Sequence, residues 1–211
     1  MFSIKKILRN SYEFYLSKFV TLVGITAILY FISVLFEYVV DSIFSISFVI
    51  GIILGVAAAV VGIVFEIGYL KYLLKFVSGI HPSAEDLLKY SYLLWRYVLG
   101  WLAYGAVVVV GLVLFVVPGV YLSIRFMFVP ILIVDKELTI KEAFRKSTAL
   151  TKGVKWKLLG LALVLGLIMA PTNIVFSNSE YVLQGAFIVL ASPFVMVSYI
   201  KAYRILLGVD S

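Results

Sequence analysis

The stretch TIKEAFRKSTALTKG, residues 139–153, carries five charged side chains in a chain that is 64% hydrophobic. They are Lys141, Glu142, Arg145, Lys146 and Lys152. The apolar run IRFMFVPILIV (124–134) precedes it and LLGLALVLGLIMA (158–170) follows it. Either the charges interrupt one apolar helix or they form a surface element between two membrane spans. Composition frames the choice. Only 14% of the 211 residues are charged, against about a quarter in soluble domains, and the mean hydropathy is +1.13. Several apolar runs approach or exceed the roughly 18–20 residues that cross a bilayer as a helix. None alternates as a transmembrane β-strand of about ten residues does. The reading is an all-α, polytopic integral membrane bundle.

The chain has no cysteine, which excludes disulfides, thiolate metal sites and cysteine nucleophiles. The start, MFSIKKILRN, resembles the basic flank of a signal sequence. The apolar run at 19–36 is too long for a signal core and lacks a small-residue cleavage pattern after it, so it reads as a retained span. No lipidation motif is seen at either end.

Six spans are predicted, at 19–36, 46–70, 97–117, 120–134, 158–176 and 182–200, with a tight turn at Pro118-Gly119. The fourth is short, about 15 residues or roughly 23 Å, and holds Pro130. Basic residues sort by side. Segments 1–18, 71–96, 135–157 and the C-terminus hold four, four, seven and two of the eighteen Lys and Arg. The connections at 37–45, 118–119 and 177–181 hold none, carrying Glu37, Asp41 and Glu180 instead. This positive-inside pattern predicts a multi-pass cell-membrane protein with both termini cytoplasmic. Trp95, Trp101 and Trp156 fall near the same boundary, where interfacial aromatics concentrate.

The opening stretch then aligns with two others: SIKKILRNSYEF (3–14), SAEDLLKYSYLL (83–94) and TIKEAFRKSTAL (139–150). Each starts at a hydroxyl residue, repeats apolar positions at helical spacing and carries a serine at Ser11, Ser91 or Ser147. Thr139 with Glu142 forms a capping-box pattern, Ser83 with Asp86 approximates one, and Ser3 faces Lys6 instead. The chain is thus read as one domain, 1–211, of three units at about 3–76, 83–134 and 139–207. Each unit is a cytoplasmic interfacial amphipathic helix followed by a transmembrane hairpin. GYLKYLL (68–74) also loosely matches SYIKAYRILL (198–207). The charged insert is then a collar element. Small-residue rows at Gly51, Gly55 and Ala59, and at Ala162, Gly166 and Ala170, allow close helix packing, within the monomer in the first place and at a homodimer seam in the second.

Residues 118–160 carry a more specific pattern: Pro118-Gly119, the intramembrane Arg125, the acidic turn 135–137, the helix bearing Ala143 and Ser147, and Lys152-Gly153 before Trp156. In these features the chain resembles the six-span membrane domains fused to some glycerophosphodiester phosphodiesterases, and their stand-alone relatives of unassigned function. The resemblance implies a six-helix membrane module. It implies no activity, since these residues do not include the phosphodiesterase barrel.

Arg125 is the sharpest candidate. A cation near mid-span costs about 2.5–3.5 kcal/mol on insertion scales, so it needs a partner, and Glu66 is the acid placed inside a span. The pair either sets helix register or forms an anion or headgroup site, or else Arg125 caps the carbonyls of a loop. Lys136, Lys141, Arg145, Lys146, Lys152, Lys155 and Lys157 are candidates for gripping anionic headgroups, at about 1 kcal/mol each, beside their plain role as topology signals. Ser11, Ser91 and Ser147 lie on the apolar stripe, as small packing residues or headgroup donors. His81 stands alone in a loop. No catalytic set, metal-ligand set, cofactor motif or phosphate loop appears. The dispersed bases do not make a nucleic-acid surface. The expectation is a non-enzymatic module that engages membrane lipid, another membrane protein or itself. The alternative is a small transporter or channel built on Arg125 and Glu66. A water-filled centre reaching Arg125 favours transport; a packed centre with lateral grooves favours the module.

Overall fold

A computed structural model describes residues 2–44, 47–174 and 181–209. Eleven helices lie among them, with no strand: α1 Ile4–Ser17, α2 Phe19–Phe44, α3 Phe48–Val77, α4 Asp86–Lys89, α5 Leu94–Leu114, α6 Val116–Phe126, α7 Val129–Lys136, α8 Ile140–Thr151, α9 Lys155–Met169, α10 Pro171–Ile174 and α11 Tyr181–Leu206. Five stretches are long and apolar enough to cross a membrane: Phe19–Phe44, Phe48–Val77, Asp86–Leu114, Val116–Lys136 and Leu183–Leu206. The region expected to supply a sixth, 158–176, holds α9. Its 15 residues reach roughly 22 Å, short of a hydrocarbon core of about 30 Å. Pro171 has no N–H to continue the ladder, and at the end of α9 the Thr172 hydroxyl donates to the Met169 carbonyl at 2.6 Å. Residues 175–176, Glu180 and most of the predicted 177–181 connection lie outside the described residues, as do 45–46.

The three aligned segments differ among themselves. α1 buries Ile7, Ser11 and Tyr15, and α8 buries Ala143, Ser147 and Thr151, the corresponding positions of the aligned stretches. The Thr139–Glu142 capping box forms in full, and Ser3 accepts only from the Lys6 N–H. The expected helix over 83–94 does not form as one piece. α4 stops at Tyr90, a 3₁₀ turn spans Ser91–Leu93, and α5 starts at Leu94. Ser91 is exposed and Leu93 takes the buried place. Local tertiary ties explain the break. Asp86 accepts from the Ser83 N–H and from Lys75 at 2.6 Å, and the Lys71 ammonium sits 4.8 Å over the Tyr90 ring. Gly68 lets the α4 backbone lie directly on α3, since a Cβ there would fall on the Leu87 carbonyl.

Two further boundaries are corrected. The turn between the third and fourth spans is at Phe115, which is extended, and not at Pro118-Gly119. Pro118 sits in the first turn of α6, where no intrahelical N–H is required. Gly119 serves packing: a Cβ on Gly111 of α5 would come within 2.9 Å of its Cα. α3 and α11 also run past the predicted ends at 70 and 200. Their extra turns bury Leu73 and Leu74, and Ala202 and Tyr203, so tertiary packing continues the helix beyond the apolar run.

That packing is the core. The last turns of α3 lie against α7, whose residues 129–134 are all buried, and α11 reaches this segment through the side chains of Tyr199 and Tyr203. A helix apolar on every side belongs in the middle. Phe128 stacks on Tyr199 and tilts against Tyr203, and the Tyr203 hydroxyl donates to Asp135 at 2.8 Å. Around this centre α4 packs on α3, α8 on α6 and α7, and α1 on α11. α5, α9 and α2 lie against α3, α6 and α11 in the same sense.

Candidate functional site

The region around Arg125 is built on a helix break. Pro130 has no N–H for the Phe126 carbonyl, and the chain leaves helical geometry at Phe128 between α6 and α7. Freed carbonyls inside a membrane protein need other donors. They find hydroxyls. Tyr104 donates to the Ser123 carbonyl at 3.3 Å. Ser147 and Thr151 of α8 donate to the Arg125 carbonyl at 2.9 and 3.4 Å. Tyr199 of α11 donates to the Met127 carbonyl. Ser147 is therefore both small for close contact and a donor, while its counterpart Ser11 is fully buried with no partner for its hydroxyl among the described residues.

The Arg125 side chain does not meet Glu66. Its Nε donates to the Thr148 hydroxyl at 3.2 Å and its guanidinium lies 5.2 Å from the Phe126 ring centroid. Glu66 instead accepts from the Tyr97 hydroxyl at 2.8 Å. The physical reason is the break: α6 ends beside α8, which draws Arg125 to Thr148, while Glu66 on α3 faces a cleft against α2. That cleft, about 470 Å³, is lined by α2 and α3 alone and includes Glu37, Asp41 and Glu66. Gly51 and Gly55 also face α2, at Phe44 and Val40, whereas Gly166 meets nothing within 4 Å. The first small-residue row thus packs within the chain.

The basic cluster divides by partner. Lys136 pairs with Asp135 at 3.3 Å, Lys157 donates to the Phe2 carbonyl at 3.3 Å, and Lys155 donates to the Tyr121 hydroxyl. Lys141, Arg145, Lys146 and Lys152 make no hydrogen bond among the described residues; all but Lys146 are exposed. The capping box holds the Glu142 carboxyl below its ordinary range, chiefly through the Thr139 hydroxyl and then its backbone N–H.

A second opening, about 340 Å³, runs between α6 and α9. Its walls are apolar apart from Tyr121 and Lys155 at one end, and Trp156 of its lining is 85% exposed. Other cations hold the bundle together. Lys71 donates to the last carbonyls of α7, at Val134 and Asp135, over 3.0 and 3.1 Å, a favourable place for positive charge. Lys201 donates to the Asn10 carbonyl of α1 at 2.6 Å. The buried tyrosines and Thr148 escape sequence reading because a tyrosine or threonine in an apolar run carries no signal of which carbonyl it will meet.

A family model described as the membrane domain of glycerophosphoryl diester phosphodiesterase matches residues 96–208, over half of the chain. No curated protein and no solved structure matches it. The matched region contains the α6–α7 break, Arg125, α8 and the α6–α9 opening. The chain is a multi-pass helical membrane protein, and it belongs to the family of glycerophosphoryl diester phosphodiesterase membrane domains.

Proposed function

We propose that this chain is a non-catalytic, six-span membrane module whose cytoplasmic side engages membrane lipid. The observation that carries the reading is the filled centre: Phe128, Ile131, Leu132, Ile67 and Tyr203 are fully buried where the second helices of the pairs converge. The openings described above lie between neighbouring helices at the side. Bundles that move solutes keep polar groups along a central path; lateral grooves suit lipid.

In this reading α9 with α10 is a short sixth span, held by bilayer thinning or by its neighbours. α1, the α4 region and α8 are interfacial amphipathic collars of three units, and each collar rests on the second helix of the unit before it. The ring closes through α1 on α11. Both termini are cytoplasmic, by the distribution of Lys and Arg. Lys141, Arg145 and Lys152, exposed and without hydrogen bonds among the described residues, supply the diffuse attraction for anionic headgroups.

One observation favours a transporter instead. Glu66, Glu37 and Asp41 line the same α2–α3 cleft, a concentration of acids unusual within spans. Native mass spectrometry from mild detergent tests the main reading. Retained anionic lipid supports it, and protein released free of lipid sinks it. Because the chain has no cysteine, single introduced cysteines report topology cleanly. Labels near 141 must be shielded in intact cells and labels near 41 accessible; the reverse overturns the orientation.

A further inference from the structure

The α6–α9 opening is more particular than a gap in a lipid-facing surface. On α6, Val116, Val117 and Val120 form its apolar stretch, and Tyr121 marks where polarity begins. Across from Tyr121 stands Lys155, the first residue of α9, hydrogen-bonded to the tyrosine hydroxyl and 3.9 Å over its ring. One turn further along the same face of α6, just beyond the lining of the opening, comes Arg125. Arg125 spends only its Nε, on Thr148; its two Nη groups make no hydrogen bond among the described residues. No acidic residue lines the opening. Trp156, the next residue along α9, stands at the same polar end, as an indole anchored at headgroup level does. The volume, about 340 Å³, falls in the range of roughly 300–1,000 Å³ typical of ligand clefts.

We infer that this groove binds one anionic glycerophospholipid, an acyl chain lying along Val116, Val117 and Val120 and the phosphate between Lys155 and Arg125. The occupant is set by charge. Two cations with no acid between them are poorly satisfied by a zwitterionic headgroup, whose own ammonium would be repelled, and well satisfied by a headgroup carrying net negative charge. A guanidinium with free Nη donors offers the forked geometry that phosphate oxygens accept. The lysine adds a point charge that can turn from Tyr121 to the phosphate without leaving the groove. This inference rests on the lipid-engaging reading above and narrows it to one site and one class of lipid.

The test uses the full chain with Trp95→Phe and Trp101→Phe, leaving Trp156 as the fluorophore. Neither replaced tryptophan lines the groove. The protein is reconstituted in phosphatidylcholine vesicles that carry, at equal mole fraction, bromine-labelled acyl chains on either phosphatidylglycerol or phosphatidylcholine. Quenching of Trp156 gives the relative association of the two lipids. The anionic lipid should be favoured about fivefold for each engaged cation. Lys155→Gln should remove about fivefold, and Lys155→Gln with Arg125→Gln should bring the ratio to about one. Lys89→Gln, an exposed cation of α4 outside the groove, should leave the ratio unchanged. Equal quenching by both lipids overturns the inference. So does a loss from Lys89→Gln as large as that from Lys155→Gln, because the preference would then be diffuse. Should Arg125→Gln fail to fold, Lys155→Gln carries the test alone, since it gives up only a contact with the exposed Tyr121. Native mass spectrometry of the same protein separates the two failures. Anionic lipid retained without preferential Trp156 quenching refutes the groove and keeps the module; no retained lipid refutes both.

Discussion

Tyr199→Phe is the sharpest probe of how the bundle tolerates its broken fourth span. The substitution keeps the ring that stacks on Phe128 with centroids 5.3 Å apart and deletes only the hydroxyl that donates to the Met127 carbonyl. No other donor reaches that carbonyl among the described residues. A buried acceptor left without a partner costs about 1–3 kcal/mol, and hydrogen bonds between membrane helices are worth about 0.6 kcal/mol on average, up to about 1.7. The structure places Tyr199 toward the upper end, because Phe128 and the α7 residues around it are fully buried and water has no access. A loss of about 1–2 kcal/mol is expected. Ser147→Ala supplies the contrast. It removes a donor to the Arg125 carbonyl, yet Thr151 also reaches that oxygen at 3.4 Å, so the expected loss is below about 1 kcal/mol. Ser147→Ala with Thr151→Val strips both donors and should cost about as much as Tyr199→Phe. Equilibrium unfolding in mixed micelles, read by circular dichroism, gives each value. A neutral Tyr199→Phe, or a Ser147→Ala as damaging as the double variant, would refute the view that hydroxyls replace the helical ladder at this break.

Three further outcomes are expected. Arg125→Leu and Glu66→Leu should change stability additively, within about 0.5 kcal/mol, because Arg125 bonds Thr148 and Glu66 bonds Tyr97; rescue in the double variant would show that the two charges are coupled after all. Gly68→Ala should destabilise by about 1–3 kcal/mol, as expected where a Cβ meets packed backbone, here the Leu87 carbonyl, whereas Gly166→Ala, with open space around it, should be neutral or stabilise by about 0.5–1 kcal/mol through helix propensity; thermal unfolding in detergent compares them. The carboxyl of Glu142 is held below its ordinary value of 4.5 by Thr139, so its contribution to α8 is present above that value and lost as pH falls through the lowered one. Amide exchange at the first turn of α8, corrected for intrinsic rate, should rise over that acid range and should lose its pH dependence in Glu142→Gln.

Hydropathy, charge sorting and local caps were legible without the fold. Apolar length marks a span because lipid supplies no hydrogen-bond partners to the backbone, and the capping box of Thr139 and Glu142 closes within four residues. The aligned stretches also located α1 and α8, since their buried positions follow helical spacing alone. The middle stretch shows the limit of that reasoning. Its spacing is as regular, yet Lys75, Lys71 and the bare surface of Gly68 draw the segment into a short helix and a 3₁₀ turn.

The site depended on the fold to a greater degree. Insertion cost asks for a partner for Arg125, and the chain's acid inside a span was the natural choice by composition. Which partner is met depends on where α6 ends and which helix lies beside it, and neither follows from a local pattern. The break at Pro130 turned the carbonyls of Ser123, Arg125 and Met127 toward hydroxyls from α5, α8 and α11, residues 19 to 72 positions away in the chain. The sequence by itself therefore determined that this is a helical membrane protein, with most of its charges between the apolar runs, because those properties arise from transfer between water and lipid, residue by residue. Only the tertiary structure decided that Arg125 leaves Glu66 for Thr148, and that Tyr121 and Lys155 share a groove, because those contacts join helices that are neighbours in space and distant in sequence.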